Sequence, residues 1–233
     1  MTGARPHPRL TSRAGRLKSF GRVLWLCLVG AGSSAHATGD PFGWHYSPST
    51  HITPANVDRL EPAWTHRNGD MAAARGQPSS VSAQATPILL PRAAGEHLVY
   101  CTPFNRVIAL DPATGAERWS YDPQVPRTSE RPYRCRGVAY AEVPQAGPNG
   151  ACRHRIYTAT NDRRLIALDA RNGKPCTKFG EGGVVALAEH ERYGLEKVSS
   201  SSPPVVANGV VVVGSSVIDF VYAEAPRGVI AAF

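Results

Sequence analysis

Four cysteines, Cys101, Cys135, Cys152 and Cys176, carry the first legible chemistry of this chain. None of their spacings is C-x-x-C, so a zinc or thioredoxin-type reading finds no support. Of the five cysteines only Cys27 lies in the first 37 residues, and the even number beyond it points instead to disulfides in an oxidising compartment, with three connectivities open. A short loop between predicted strands favours Cys135–Cys152. Cys101, on an apolar strand, also suits packing as a small hydrophobe. The histidines show no metal-ligand spacing, and His97 and His154, at matching strand starts, are expected to face solvent. Arg136 can serve as an ion-pair partner of Asp162 or Glu142. Ser199–Ser202 reads as a polar loop, and Asp219 as a turn cap.

The first 37 residues differ from the rest. Arg5, Arg9, Arg13, Arg16, Lys18 and Arg22 come with no acid, then Val23–Ala31 (VLWLCLVGA) is apolar, and Ala35-His36-Ala37 follows. A basic region, a short apolar region and a small-residue site form a secretory signal peptide, expected over 1–37. The apolar run is shorter than the roughly 20 residues a membrane-spanning helix needs. The whole chain has 26 basic and 18 acidic residues. Without the six of the leader, 20 face 18, a net charge of +2. No basic cluster interleaved with aromatics remains, so nucleic-acid binding is not expected.

The elements that position these residues repeat. "RVIALDPATG" (106–115), "RLIALDARNG" (164–173) and "RGVIAAF" (227–233) align, with Asp111 and Asp169 58 residues apart. "TPILL" (86–90), "GVAYAE" (137–142) and "PPVVA" (203–207) read as first strands. "HLVYCT" (97–102), "HRIYTAT" (154–160) and "GVVVVGS" (209–215) read as second strands. All are short, apolar, β-branched or aromatic, and bounded by turn residues. Asn208-Gly209 marks a tight hairpin. Fourth strands are expected at "AERWSYD" (116–122) and, more weakly, "KPCTKFG" (174–180). Residues 53–64 can hold one short helical turn. Repeated four-stranded antiparallel units predict an all-β propeller of which 38–233 holds about the first three blades. The last repeat stops one residue before its expected aspartate, so the chain reads as the N-terminal part of a longer propeller.

"ALDPATGAERW" (109–119) closes the first unit: Asp111 caps a turn, Gly115 takes positive φ, and Trp119 can pack on a neighbouring blade. It resembles the tryptophan-docking motif A-x-D-x-x-T-G-x-x-x-W of the quinoprotein alcohol and sugar dehydrogenases, whose propeller has eight blades. The second copy has Asn172 for Thr and Thr177 for Trp. "YSPSTHITPANVDRLEPAW" (46–64) is similar to the entry segment of these enzymes. "QATP" (84–87), "CTPFNRVIALD" (101–111), "CRGVAY" (135–140), "TNDRRLIALDA" (160–170) and "SSPPVVANGVVVVGSSVID" (201–219) resemble the membrane-type glucose dehydrogenase branch.

The resemblance implies pyrroloquinoline quinone (PQQ) beside a calcium or magnesium ion. It matches Gln84, Arg136, Ser201 and Ser216 to cofactor-binding positions and Asp219 to a metal ligand. A trianionic quinone suits a guanidinium fork, and a hard cation suits carboxylate oxygen. It implies oxidation of a sugar, polyol or alcohol hydroxyl, with a membrane quinone or cytochrome as acceptor. The expected location is the periplasm, in solution or peripheral to the inner membrane. The catalytic base comes from a later blade in this family, so none is assigned and the chain alone is expected to be inactive. Pro132 stands where many relatives have histidine, and no adjacent Cys-Cys pair is present. The rival reading is a non-catalytic periplasmic scaffold of the outer-membrane-assembly type. Gln84, Arg136 and Asp219 in family order favour the enzyme.

Overall fold

The computed structural model describes residues 50–74, 81–127, 132–187, 198–217, 223 and 228–233. The expected leader, 1–37, and Asp219 lie outside them. The chain enters through a 3-10 turn at Val57–Arg59, within the predicted 53–64 turn, and a short α-helix at Asp70–Ala73. Strand β1 (Val81–Ala83) precedes a four-stranded antiparallel sheet of β2 (Ile88–Leu89), β3 (Leu98–Cys101), β4 (Val107–Leu110) and β5 (Glu117–Tyr121) in sequential order. Strand β6 (Tyr133–Cys135) returns to pair in parallel with β1. The second sheet is β7 (Ala139–Glu142), β8 (His154–Ala159), β9 (Arg164–Asp169) and β10 (Val184–Ala186). After β11 (Val198–Ser199), the third sheet begins with β12 (Val205–Ala207) and β13 (Val210–Gly214). Strand β14 (Ser216–Val217) pairs back to β11, and β15 (Ile230–Ala232) completes the third sheet beside β13.

The first, second and third strands of each repeat fall within the predicted runs. Asn208 and Gly209 adopt φ of 51° and 78°, placing Val206 opposite Val211 as a two-residue hairpin requires. The fourth strand of the second blade differs from expectation: it is β10, not 174–180. Pro175 bridges Leu168, and Cys176 donates its N–H to Ala167 O at 2.8 Å. The chain then leaves the edge through Gly180, Gly182 and Gly183, all at positive φ, and returns so that Val184 pairs with Ile166. The disulfide at Cys176 and three turn-forming glycines interrupt what periodicity alone reads as one strand.

The second blade is buried on both faces, which accounts for the unbroken apolar run of β9. Ile156, Ile166 and Leu168 join Ile88, Val99, Val107 and Trp119 of the first blade in one cluster. Tyr157, Leu165 and Ala167 join Val211 and Val213 of the third in another. Each fully buried aliphatic side chain contributes about 1.5–3 kcal/mol. On the far face of the third blade Val205, Val210 and Ile230 are exposed.

Tryptophans tie successive units. Trp119 donates its indole N–H to Ala170 O at 3.2 Å and lies against Gly173, in the Asp169–Gly173 turn of the second blade. Trp64 does the same one unit earlier, donating to Pro112 O at 3.1 Å and covering Gly115. Asp111 Oδ1 accepts from Ala113 N–H and Thr114 N–H, each at 2.9 Å, to shape that turn. The Arg118 guanidinium, with the Thr114 amide and hydroxyl, holds the Asp111 carboxyl down to about 2. In the second blade Thr177 is exposed, and Phe179 instead packs edge-on to Tyr157, 5.4 Å between centroids.

Disulfides join Cys101 to Cys135 and Cys152 to Cys176. The favoured Cys135–Cys152 pairing is therefore corrected. Cys135 lies at the end of β6, beside the end of β3, while Cys152 precedes β8 at the opposite end of the second blade, near the turn after β9. His154 is also corrected: it is buried, with Nδ1 2.8 Å from the Tyr140 hydroxyl. Burial, then the Arg171 charge, lowers its pKa.

Candidate functional site

The candidate site sits at the end of the blades where β1 and β6 run side by side. Ala83 pairs with Cys135, which brings Gln84 and Arg136 out of adjacent strands in the same direction. Thr86 donates its N–H to Arg136 O at 2.9 Å, and Arg136 donates its own N–H to Ser201 O at 2.9 Å. Segments preceding the first strands of three successive blades are thus stitched in order. The Cys101–Cys135 bridge adds a covalent link from the end of β3 to the residue before Arg136.

Arg136 is half-buried, and its Nη1 donates to Ser201 Oγ at 2.6 Å. Neither acid considered from the sequence is its partner: Asp162 pairs with Arg164 at 2.7 Å, and Glu142 with Arg153. A guanidinium has five N–H donors, and among the described residues only Ser201 Oγ engages this fork, which leaves donors for an anion. Ser200 and Ser201 are buried and Ser199 lies in β11, so the serine run is anchored backbone and not a loose loop. Ser199 pairs with Ser216, which is exposed. Gln84 is exposed as well. Four of the five candidates, Gln84, Arg136, Ser201 and Ser216, are therefore drawn to neighbouring segments. The fifth, Asp219, lies outside the described residues. Among the described residues no group of three or more His, Cys, Asp or Glu side chains comes together to hold a metal.

Sequence reasoning missed what holds the blade tips at this end. Asp70 is buried, accepts the Phe104 N–H at 2.9 Å and pairs with Arg106, anchoring the β3–β4 hairpin. Asn105 Oδ1 accepts the Asn161 N–H at 2.9 Å, joining that tip to the next. A signal was present: Asn105-Arg106 and Arg163-Arg164 recur at the 58-residue spacing of the aspartates.

Sequential four-stranded antiparallel sheets, packed face to face and docked by tryptophans, define a partial β-propeller. Residues 35–233 match the family described as PQQ: glucose/ethanol/alcohol dehydrogenase, beta-propeller domain, and the chain belongs to that family. It is 38% identical over 194 residues to the glycerol dehydrogenase large subunit of Gluconobacter oxydans (strain 621H), covering 79% of this chain and 24% of the relative. It is 34% identical over 201 residues to quinoprotein glucose dehydrogenase A of Acinetobacter calcoaceticus, covering 81% and 24%. Among solved structures it is similar to a europium-containing methanol dehydrogenase, with a TM-score of 0.57 and 25% identity over 81% of this chain and 27% of that one. The chain spans about a quarter of the length of these curated relatives.

Proposed function

We propose that this chain supplies the first blades and part of the cofactor site of a PQQ-dependent dehydrogenase that oxidises a sugar, polyol or alcohol hydroxyl. The observation that carries this reading is Arg136. Its backbone is held by Thr86 and Ser201, its guanidinium is restrained by the Ser201 hydroxyl and lacks a carboxylate partner among the described residues, and the exposed Gln84 and Ser216 lie on segments stitched to its own through this backbone. Such a donor set suits a ligand bearing several carboxylates.

When bound, PQQ supplies the two-electron acceptor for a hydride leaving the substrate carbon. Arg136 would hold a quinone carboxylate by its remaining N–H donors, pre-oriented so that little order is lost on binding. Gln84 would hydrogen-bond the ligand from the first blade and Ser216 from the third, with Ser201 keeping the guanidinium aimed. Asp219 would contribute oxygen to a calcium or magnesium ion, the donor type hard cations take. The proton acceptor is assigned to no residue of this chain, and the chain without further blades is expected to be inactive. The electron acceptor is read as a membrane quinone or a cytochrome. The signal-peptide pattern over 1–37 supports export to the periplasm.

The full chain is titrated with PQQ and calcium, and quinone binding is followed by tryptophan quenching. The gene product with all its blades is then assayed for dye reduction by glucose, glycerol or quinate. Binding by this chain together with substrate-dependent reduction supports the proposal. No quinone binding by either form, and silence with every polyol and alcohol, would sink it.

A further inference from the structure

The β8–β9 hairpin tip, Thr160–Arg164, repeats the β3–β4 tip, Thr102–Arg106. In both, the threonine N–H donates to the closing arginine carbonyl, at 2.8 Å for Thr102 and 2.9 Å for Thr160. In both, the fourth residue takes a left-handed φ, 63° at Asn105 and 67° at Arg163. Asn105 presents an acceptor to the next blade, and an N–H meets it. Arg163, at the equivalent position, has only donors to present.

Arg163 is 6% exposed, and among the described residues its side chain makes one hydrogen bond, from Nη2 to Leu187 O at a long 3.5 Å. The four ion pairs among the described residues use Arg106, Arg118, Arg153 and Arg164, and none uses Arg163. Beside it a cavity of about 20 Å³ opens between the second and third blades. Its walls include Leu187, Val198 and Val213, and its other polar side chains are Ser200 and Ser215. Ser215 Oγ accepts the Val229 N–H at 2.8 Å, which leaves its own proton to donate. The Ser200 hydroxyl donates to Gly214 O at a long 3.4 Å. Among the described residues, the side chains that carry polarity into this apolar seam are a cation and two hydroxyls.

We propose that this cavity is a binding site for a monovalent anion such as chloride, held by the Arg163 guanidinium with the Ser215 hydroxyl. Among the described residues no carboxylate pairs with this buried guanidinium, and an anion at this point would supply the counter-charge. Roughly 10–15 Å³ of such space takes one water, so the cavity has room for a monatomic guest. The proposal does not rest on quinone binding, although Ser200 of the cavity wall is next in sequence to Ser201, which holds Arg136.

Crystals of the full chain soaked in sodium bromide should show an anomalous peak within hydrogen-bonding distance of the Arg163 guanidinium. In solution, exchanging gluconate for chloride at constant ionic strength should raise the melting midpoint by roughly 2–4 °C when chloride is about five times its dissociation constant. Arg163→Gly suits the left-handed backbone and should fold, while losing the chloride response. A cavity without bromide, or an undiminished chloride response in Arg163→Gly, would each overturn the proposal.

Discussion

Arg136 and Ser201, 65 residues apart, are joined twice: Nη1 of Arg136 donates to Ser201 Oγ at 2.6 Å, and the Arg136 amide donates to the Ser201 carbonyl at 2.9 Å. The first contact depends on the serine side chain and the second does not. Ser201 thereby becomes a positioning residue, acting on a ligand through the guanidinium it restrains.

Ser201→Ala should keep the backbone stitch and free the guanidinium. A hydrogen bond to a charged group is worth about 1.5–3 kcal/mol, and partial exposure of Arg136 lowers that here. Quinone affinity should fall by about tenfold, with Ser201→Thr restoring most of it. Fluorescence titration of the three proteins decides; equal affinity in Ser201→Ala removes the positioning role.

Gly173 sits under Trp119, where an added Cβ would lie 2.4 Å from Cε3, at a φ of 71°. Gly182 has a similar φ of 61° and nothing within 4 Å. Gly173→Ala should therefore cost about 2–4 kcal/mol through overpacking and backbone strain, and Gly182→Ala about 1 kcal/mol through strain alone. Urea denaturation of the two variants separates the contributions.

The Cys152–Cys176 bridge spans 24 residues of the second blade and constrains the unfolded chain. Replacing both cysteines by serine should lower stability by about 3 kcal/mol. Wild-type protein treated with reductant should converge on the variant carrying serine at all four bridge positions, as read by urea midpoints.

His154 binds its proton less readily in the folded chain than in the unfolded one, because burial and then Arg171 disfavour the charged ring; Arg153 acts with them, Glu142 and Asp169 oppose, and Tyr140 faces Nδ1. Between the lowered folded pKa and the ordinary value near 6.5, only the unfolded state is protonated. Its contribution is therefore whole above the ordinary value and declines as pH falls through it toward the folded pKa. Denaturation midpoints should drop over that window in the wild type and less in His154→Gln. Identical pH profiles would assign the loss to other groups.

Much of the architecture is written locally. Alternating and continuous apolar runs placed the first three strands of each repeat, and Asn208-Gly209 specified its hairpin through residues that tolerate positive φ. Asp111, Gly115 and Trp119 announced a docking motif because turn geometry and a large ring depend on residue type. The 174–180 segment misled for a physical reason: its pairing is cut by a disulfide and by glycines whose turns depend on neighbours far along the chain.

By itself, then, the sequence determined the repeat, the family and the residue types gathered near Arg136, since these follow from periodicity and short-range chemistry. Tertiary structure alone decided which cysteines meet, that His154 is buried, that Ser201 restrains Arg136, and that Arg163 lies in a seam without a carboxylate partner among the described residues. Those outcomes depend on which blade faces which, and packing between distant segments fixes burial and pairing that no local pattern encodes.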